Sequence, residues 1–304
     1  MTTEDLYLIT GATGKTGANA VRELRNDGLS VRALVHANDG RADVLADLGA
    51  DVVVGDLLDF ASVSSAMAGV TAAYFCYPIA PGLLDATTIF AQAATEAGVQ
   101  AVVNMSQISA RRDAKSHAAQ NHWLGERLLD RSTFTTTHLR PTFFAEWLAW
   151  QWSRDARGGL FRLPFADGRH APIAAVDQAR VISAILRNPA PHDRQVYPLV
   201  GPVELDYRGI ADKVASVLGF PVRYEPVEID SFADLLRAQG HDEYFVQHIS
   251  SVAQDYRDGI FAGTNNLVEV ITGTPALTVE QIATANRGAF DHAGQASAWD
   301  KLSA

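Results

Sequence analysis

The chain has 304 residues, 47% hydrophobic and 20% charged, a composition typical of globular proteins and unlike that of disordered chains. With 25 Lys and Arg against 35 Asp and Glu, its formal net charge of −10 disfavours direct binding to nucleic acid. A single cysteine, an N-terminus unlike a signal peptide and no apolar run of about 18 residues predict a cytoplasmic protein without a membrane span.

The first half of the chain alternates strand-like apolar runs with helix-like segments. Strands are predicted at 6–10, 31–35, 51–54, 72–76, 101–105 and 136–139, and helices after the first strand, near 44–48 and at 86–97. Strands that are apolar on both sides, each followed by a helix, are typical of a parallel sheet covered on both faces. The pattern therefore predicts an α/β fold built on a doubly wound parallel sheet.

A glycine-rich turn directly follows the first strand and opens the first helix. It consists of Gly11, Ala12, Thr13, Gly14, Lys15, Thr16 and Gly17. Gly11 permits the tight turn, Gly14 lets the backbone approach a pyrophosphate, and Gly17 allows close packing of helix on strand. The free amides of the helix start then supply an anion site. A purely structural glycine turn is the alternative, whereas a P-loop is excluded because Ile9 stands where that motif needs a glycine.

The regular rhythm ends near residue 155, where turn signals become denser. Helices predicted at 176–186 and 207–218 are more widely separated than those of the first half. We therefore expect a dinucleotide-binding domain over residues 1–155 and a smaller, mixed substrate-side region over 156–304. Segments near 176–200 are candidates for returning to the first domain.

The spacing Gly-x-x-Gly-x-x-Gly resembles that of extended or atypical short-chain dehydrogenases/reductases. An ordered set of further segments resembles the NmrA-like family over about residues 5–290, at 31–36, 55–57, 121–128, 139–144, 176–181, 199–201, 210–211 and 218–219. The resemblance implies a Rossmann fold and an NAD(P)H-dependent oxidoreductase of the quinone or azo reductase kind. The family also includes non-catalytic redox sensors, which bind the dinucleotide and signal through a protein partner, and this is the alternative function.

The residue that ends the second strand discriminates between NAD and NADP. His36 occupies this position, where relatives that use NADPH often carry arginine. A protonated imidazole can hold the 2′-phosphate of NADP, helped by Lys15 or Arg41, whereas Asp39 can hold the ribose of NAD. We expect NADP(H) in preference to NAD(H).

The resemblance assigns further residues to the cofactor. Asp56 and Leu57 follow the third strand and are expected to line the adenine pocket, with Asp56 accepting from the adenine amine. A capping role for Asp56 is the alternative. Tyr77 and Pro78 follow the fourth strand, at the sheet edge that faces the cofactor, although the proline also suits a simple turn.

The chain lacks the Tyr-x-x-x-Lys pair of most short-chain reductases. The residues four positions before its four lysines are Gly11, Arg111, Gly209 and Ser297. Reduction of a plain carbonyl by a tyrosine acid is therefore not expected. Acceptors with low-lying orbitals, such as quinones, azo dyes and conjugated compounds, need little acid catalysis and are the expected substrates.

A histidine takes the place of the missing pair in the family resemblance. His122 lies four residues before Glu126, so both fall on one helix face. The resemblance places His122 near the nicotinamide, as a proton donor or a ribose partner, and Ser106 matches the family's serine position. The alternative is a surface histidine paired with Glu126. No metal site is predicted.

The segment 143–152 contains three of the five tryptophans. Helical spacing would put Phe143, Trp147 and Trp150 on one face, directly after Pro141. We expect Pro141 and Phe143 to border the nicotinamide, and the aromatic face to receive a flat substrate. Core packing and a homodimer interface are the alternatives.

Overall fold

The computed structural model describes residues 5–290. Its strands are β1 (Leu6–Ile9), β2 (Ser30–Val35), β3 (Asp51–Val54), β4 (Ala72–Phe75), β5 (Ala101–Met105), β6 (Thr135–Pro141), β7 (Trp152–Asp155), β8 (Gly158–Leu163), β9 (Arg169–His170), β10 (Val196–Leu199), β11 (Leu205–Asp206) and β12 (Val222–Pro226). Its α-helices are α1 (Lys15–Asn26), α2 (Gly40–Asp47), α3 (Phe60–Ala66), α4 (Leu83–Glu96), α5 (His117–Leu129), α6 (Trp147–Trp150), α7 (Ala175–Arg187), α8 (Tyr207–Leu218), α9 (Ile229–Ala238), α10 (Glu243–Arg257), α11 (Leu267–Thr272) and α12 (Val279–Ala285).

Seven parallel strands form the central sheet, in the order β10-β6-β5-β4-β1-β2-β3. The order reverses between β1 and β4, which leaves a crevice at the carboxyl ends of these two strands. The predicted doubly wound parallel sheet is confirmed. In sheets of this kind the crevice is the usual ligand site, so the glycine-rich turn after β1 lies where a ligand is expected.

Helices cover both faces of this sheet because its strands are apolar on both sides. Tyr7 and Ile9 of β1 pack with Val21 and Leu24 of α1, whereas Leu8 belongs to the opposite layer, with Phe90 of α4. Each of these side chains is at most 5% exposed. Burying a large apolar side chain contributes about 1.5 to 3 kcal/mol, so the two apolar layers specify which helices lie on which face.

The second half of the chain contributes to the sheet and also forms a smaller unit. β10 pairs with β6, and α7 packs against α1, so the segment 175–199 extends the central layers. The smaller unit contains a three-stranded sheet (β12-β8-β7) and a two-stranded one (β11-β9). Its core is rich in stacked aromatic rings, among them Phe165, Tyr207 and Tyr256.

The prediction that Phe143, Trp147 and Trp150 share one helix face is wrong. Only Trp147–Trp150 is helical, Phe143 precedes the helix, and Trp152 begins β7. The Trp152 ring packs against Phe161 across the β7–β8 pair, and this tertiary contact overrides the helical spacing. Other predicted bounds shift by one to three residues, as for α4, which begins at Leu83 instead of at 86.

No helix within residues 5–290 is long and apolar enough to cross a membrane. The part of the predicted second domain beyond residue 290 lies outside the described residues.

Candidate functional site

The glycine-rich turn has the close contacts that a phosphate-binding turn requires. Gly11 adopts φ +57°, and a Cβ on Gly17 would lie 2.3 Å from the carbonyl oxygen of Gly11. Thr10 fastens the turn to the next strand, because its Oγ1 accepts from the Cys76 amide at 2.8 Å and donates to the Cys76 carbonyl at 3.2 Å. The turn is thus held at the point where the strand order reverses.

The start of α1 is left open for an anion. Gly14 is the N-cap and supplies no side-chain hydrogen bond, and the first turn of the helix carries no acidic residue. The hydroxyl of Thr16 is buried and has no partner within residues 5–290. The exposed amine of Lys15 lies 5.9 Å from the centre of the Trp150 ring. Free amides, an unpaired hydroxyl and a nearby cation fit a pyrophosphate.

His36 and Asp39 follow β2, and the carboxylate of Asp39 is already hydrogen-bonded to Arg41. His36 is exposed. Asp39 caps α2, its Oδ1 accepting from the Arg41 amide at 2.9 Å, while its Oδ2 lies 2.7 Å from Nη2 of the same residue. These bonds to Arg41 lower the pKa of Asp39. Because both oxygens are engaged, the structure does not favour Asp39 as a ribose ligand.

Asp56 forms an Asx turn and is not a helix cap, because the N-cap of α3 is Asp59. The Oδ1 of Asp56 accepts from the Leu58 amide at 2.9 Å, and its own amide donates to Ser62 Oγ at 3.1 Å. The residue is nevertheless exposed, and the Asx turn uses one carboxylate oxygen. The neighbouring Leu57 is partly buried against the layer that contains α3 and α4. The Asx turn and the predicted adenine binding are therefore compatible at this residue.

A largely apolar cavity of about 230 Å³ opens at the carboxyl ends of β4, β5 and β6. Eight residues of the predicted cofactor and aromatic segments line it: Tyr77, Pro78, Ser106, His122, Pro141, Phe143, Phe144 and Trp147. The glycine-rich turn, His36, Asp56 and Leu57 are not among the residues that line it. The predicted residues thus fall into two groups along the same sheet edge, one at the turn and one around the cavity.

The far wall of the cavity comes from α10, which sequence reasoning missed. Phe245, His248, Ile249 and Val252 line it. Their spacing of three, four and seven residues puts them on one helix face, and a histidine within that apolar face was the available signal. Nothing local indicates that this face lines a cavity at the sheet edge, because the strand ends that line the same cavity are more than 100 residues earlier.

Two buried polar groups in the cavity wall lack partners. Thr142 Oγ1 and Gln107 Nε2 have no hydrogen bond within residues 5–290, although Gln107 Oε1 accepts from Ser109 at 2.9 Å. An unpaired buried polar group costs about 1 to 3 kcal/mol, and because these two atoms have almost no accessible surface, they reach a ligand only if their side chains rotate.

His122 is buried, and the alternative of a surface histidine paired with Glu126 is wrong. The residue is 5% exposed. Burial lowers its pKa to about 4, with Glu126 acting in the opposite sense and Arg140 in the same sense. Its ring nitrogens have no hydrogen-bond partner in the described chain and keep some accessible surface, and the residue lines the cavity. Because of the lowered pKa, the imidazole is neutral there.

Glu126 instead holds together the elements next to the cavity through hydrogen bonds to Ser106 and Arg140. Its carboxylate accepts from Ser106 Oγ at 2.6 Å and from Arg140 Nε at 2.8 Å. Ser106 follows β5, Arg140 lies on β6 and Glu126 lies on α5, so three elements are joined at one carboxylate. The predicted Ser106 lines the cavity with its hydroxyl already donated to Glu126.

Known proteins share this architecture. An NAD(P)H azoreductase from Xenophilus azovorans is 28% identical over 287 residues, which cover 94% of this chain and 99% of that protein. The NADPH-dependent quinone oxidoreductase of Escherichia coli, solved with NADPH, superposes with a TM-score of 0.79 at 22% identity and covers 92% of this chain and 99% of its own. The triphenylmethane reductase of Citrobacter sp., solved with NADP(H), superposes with a TM-score of 0.77 at 20% identity and covers 92% of this chain and 99% of its own.

The family model described as the NmrA-like family matches residues 3–263. The match spans the glycine-rich turn, the central sheet and the α10 wall of the cavity. The chain belongs to the NmrA-like family.

Proposed function

We propose that the protein is an NAD(P)H-dependent reductase that transfers hydride to a small, flat, conjugated acceptor of the quinone or azo type. The observation that carries this proposal is the apolar cavity, lined by Phe143, Phe144 and Trp147, at the sheet edge that also bears the glycine-rich turn. Similarity to an azoreductase over nearly the full chain supports it. When bound, the reduced nicotinamide supplies a hydride, which carries the two electrons of the reduction.

The chain's own residues bind and orient both reactants in this proposal. The amides of the turn around Gly14 hold the pyrophosphate, and Thr142 and Gln107 lie in the cavity wall beside the nicotinamide end. Tyr77, Pro78, Ser106 and Pro141 border the nicotinamide end, and the second carboxylate oxygen of Asp56 accepts from the adenine amine. This placement supplies orientation without an ionised acid, and the reduced acceptor takes its proton from water.

We also propose NADP(H) as the preferred cofactor, with His36 toward the 2′-phosphate, whereas the guanidinium of Arg41 is already paired with Asp39. The engagement of both Asp39 oxygens supports this, because it leaves no free carboxylate there for a ribose. His36→Gln is then expected to raise the Kd for NADPH about 5-fold and to leave the Kd for NADH unchanged. Equal changes for the two cofactors would remove His36 from this role.

Residues 1–155 form the dinucleotide-binding part in this proposal, and the region after 155 supplies the substrate side through α10. Segments near 176–200 extend the first part. A cytoplasmic location agrees with the lone Cys76, which excludes an intrachain disulfide. The homodimer stays a prediction, and the aromatic segment does not support it, because Phe143 and Trp152 are buried within the chain's own core.

The alternative, a sensor that binds the dinucleotide without turnover, needs no substrate cavity. The test is therefore steady-state oxidation of NADPH and NADH with quinones, azo dyes and conjugated aldehydes. Val252→Phe fills the cavity from α10 and is expected to lower kcat/KM about 10-fold or more with an unchanged cofactor Kd. The matched control is Val270→Phe, since Val270 is 68% exposed on α11. Cofactor binding without turnover of any acceptor would favour the sensor.

A further inference from the structure

A second buried histidine faces the cavity from the side opposite the sheet. His248 of α10 is 6% exposed and lines the cavity, as does His122 of α5. His248 Nδ1 lies 2.7 Å from the hydroxyl of Ser116, which is the N-cap of α5. Ser116 therefore caps α5, the helix that carries His122, and also forms a hydrogen bond with His248.

The hydrogen bonds at Ser116 determine which nitrogen of His248 carries a proton. Ser116 Oγ accepts from the amide of Ala119 at 3.1 Å, and this bond caps the helix. Its own proton has one acceptor within residues 5–290, which is His248 Nδ1. Nδ1 is then the acceptor, so in the neutral ring the proton lies on Nε2. Burial lowers the pKa of His248 to about 3, with His122 adding to the effect, which keeps the ring neutral.

Nε2 is the ring nitrogen of His248 that Ser116 does not hold. It has no hydrogen-bond partner in the described chain, and it keeps some accessible surface. Since the residue is otherwise buried, the space that Nε2 reaches is the cavity. The cavity therefore contains one fixed N–H donor on its α10 wall.

The position of this donor is fixed by bonds on both sides of His248. Gln247 bridges to the start of α5, donating to the Lys115 carbonyl at 2.7 Å and accepting from the His117 amide at 3.1 Å. Farther along α10, Arg111 donates to both oxygens of the buried Asp255, at 2.6 and 2.8 Å. A donor held in this way needs little reorganisation when charge develops next to it.

We propose that His248 binds the substrate, donating a hydrogen bond from Nε2 to the oxygen or nitrogen on which negative charge develops during reduction, with Ser116 as its positioning residue. The proposal rests on the proposed function and defines its substrate class as neutral acceptors that contain a heteroatom. Hydride addition to a quinone places the electron pair on oxygen, and water then protonates that oxygen. Hydride addition to a cationic triphenylmethane dye instead neutralises a carbon cation, so this acceptor gains nothing from the donor.

The experiment compares these two acceptors in three variants. His248→Leu removes the donor, His248→Gln keeps an amide N–H near the position of Nε2, and His117→Gln is the control, because His117 is exposed beside Ser116. We expect His248→Leu to lower kcat for 1,4-naphthoquinone about 10-fold or more and to leave kcat for crystal violet within about 2-fold. His248→Gln should recover most of the naphthoquinone rate. Equal losses for both acceptors, or none, would overturn the proposal.

Two readouts do not need turnover. Nitrogen-15 NMR of His248 should show the proton on Nε2, and a proton on Nδ1 would overturn the assignment. The Kd of naphthoquinone in the presence of NADP⁺ should rise about 5-fold in His248→Leu and stay unchanged in His117→Gln. If the wild-type protein reduces no acceptor, the proposed function fails, whereas the Kd comparison still supports or overturns the role of His248.

Discussion

Arg140 clamps the carboxylate of Glu126, with Nε 2.8 Å from Oε1 and a second bond from Nη2 to Oε2. The Glu126 side chain is fully buried, and Arg140 is 22% exposed. The same Oε1 accepts from Ser106 at 2.6 Å. The clamp therefore fixes the strand ends beneath the cavity, and it leaves His122, one turn earlier on α5, unpaired and facing the cavity.

Replacement of Glu126 by glutamine should destabilise the fold. The substitution leaves the guanidinium of Arg140 without its charge partner beside a buried amide, and breaking a buried pair of this kind costs about 3 kcal/mol. Urea unfolding measures the change in the free energy of unfolding. The matched control is Glu269→Gln, since Glu269 is exposed on α11, and it should change stability by less than about 0.5 kcal/mol. Similar values for the two variants would contradict the structural role of the clamp.

Gly17→Ala should abolish cofactor binding and lower stability. The new Cβ would lie 2.3 Å from the Gly11 carbonyl oxygen and 2.9 Å from the Ala12 Cα, so the turn must open. We expect the Kd for NADPH to rise more than about 10-fold, measured by fluorescence titration. The control is Gly40→Ala in the first turn of α2, where an added Cβ meets nothing within 4 Å. Unchanged NADPH affinity in Gly17→Ala would show that the turn does not hold the cofactor.

Stability should fall as the pH drops below about 6.5, because three histidines are buried in their neutral forms. Burial lowers the pKa of His122 to about 4, and those of His170 and His248 to about 3. The unfolded chain takes up protons near pH 6.5 that the folded chain does not bind, so the free energy of unfolding declines from there down to about pH 3 to 4. Each histidine contributes about 1 kcal/mol per pH unit in this window.

Urea unfolding at pH 7.5 and pH 5.5 tests this origin of the pH dependence. His170→Gln should make the decline shallower, since it removes one of the three groups, whereas His117→Gln at an exposed site should leave it unchanged. A free energy of unfolding that is equal at the two pH values in the wild-type protein would contradict the neutral burial of these rings.

The rate of turnover should not follow protonation of His122. Because burial lowers its pKa to about 4, the ring stays neutral from pH 6 upward and does not act as an imidazolium acid. We therefore expect kcat for naphthoquinone to vary less than about 2-fold between pH 6 and pH 8. If kcat instead fell as the pH rose through about 6.5, and this change disappeared in His122→Asn, a charged His122 would be the proton donor.

The parts of the site that depend on short stretches of sequence could be predicted. The turn around Gly11 and Gly17 is set by local backbone geometry, and the strands of the central sheet are set by short apolar runs, so both are found where the sequence places them. The resemblance also identified His122, which lines the cavity. Its environment was not predictable, because the carboxylate of Glu126 is captured by Arg140, on a strand that follows α5.

The features that depend on long-range packing could not be predicted. The α10 wall shares the cavity with strand ends that precede it by more than 100 residues, so the apolar spacing around His248 indicated a buried helix face without indicating what lies opposite it. The predicted aromatic face failed because the helix is confined to Trp147–Trp150, and Phe143 precedes it and packs in the aromatic core with Phe165 and Phe261. The Asp39 cap, by contrast, has a local signal, which is an aspartate directly before a helix.

The most direct measurement is a single turnover, in which the protein is mixed anaerobically with equimolar NADPH and 1,4-naphthoquinone and followed at 340 nm. The account predicts that the nicotinamide absorbance disappears in proportion to the quinone added, and that Val252→Phe, which fills the cavity, slows this loss about 10-fold or more. Cofactor that binds tightly but keeps its absorbance in the presence of quinone would contradict hydride transfer in this cavity.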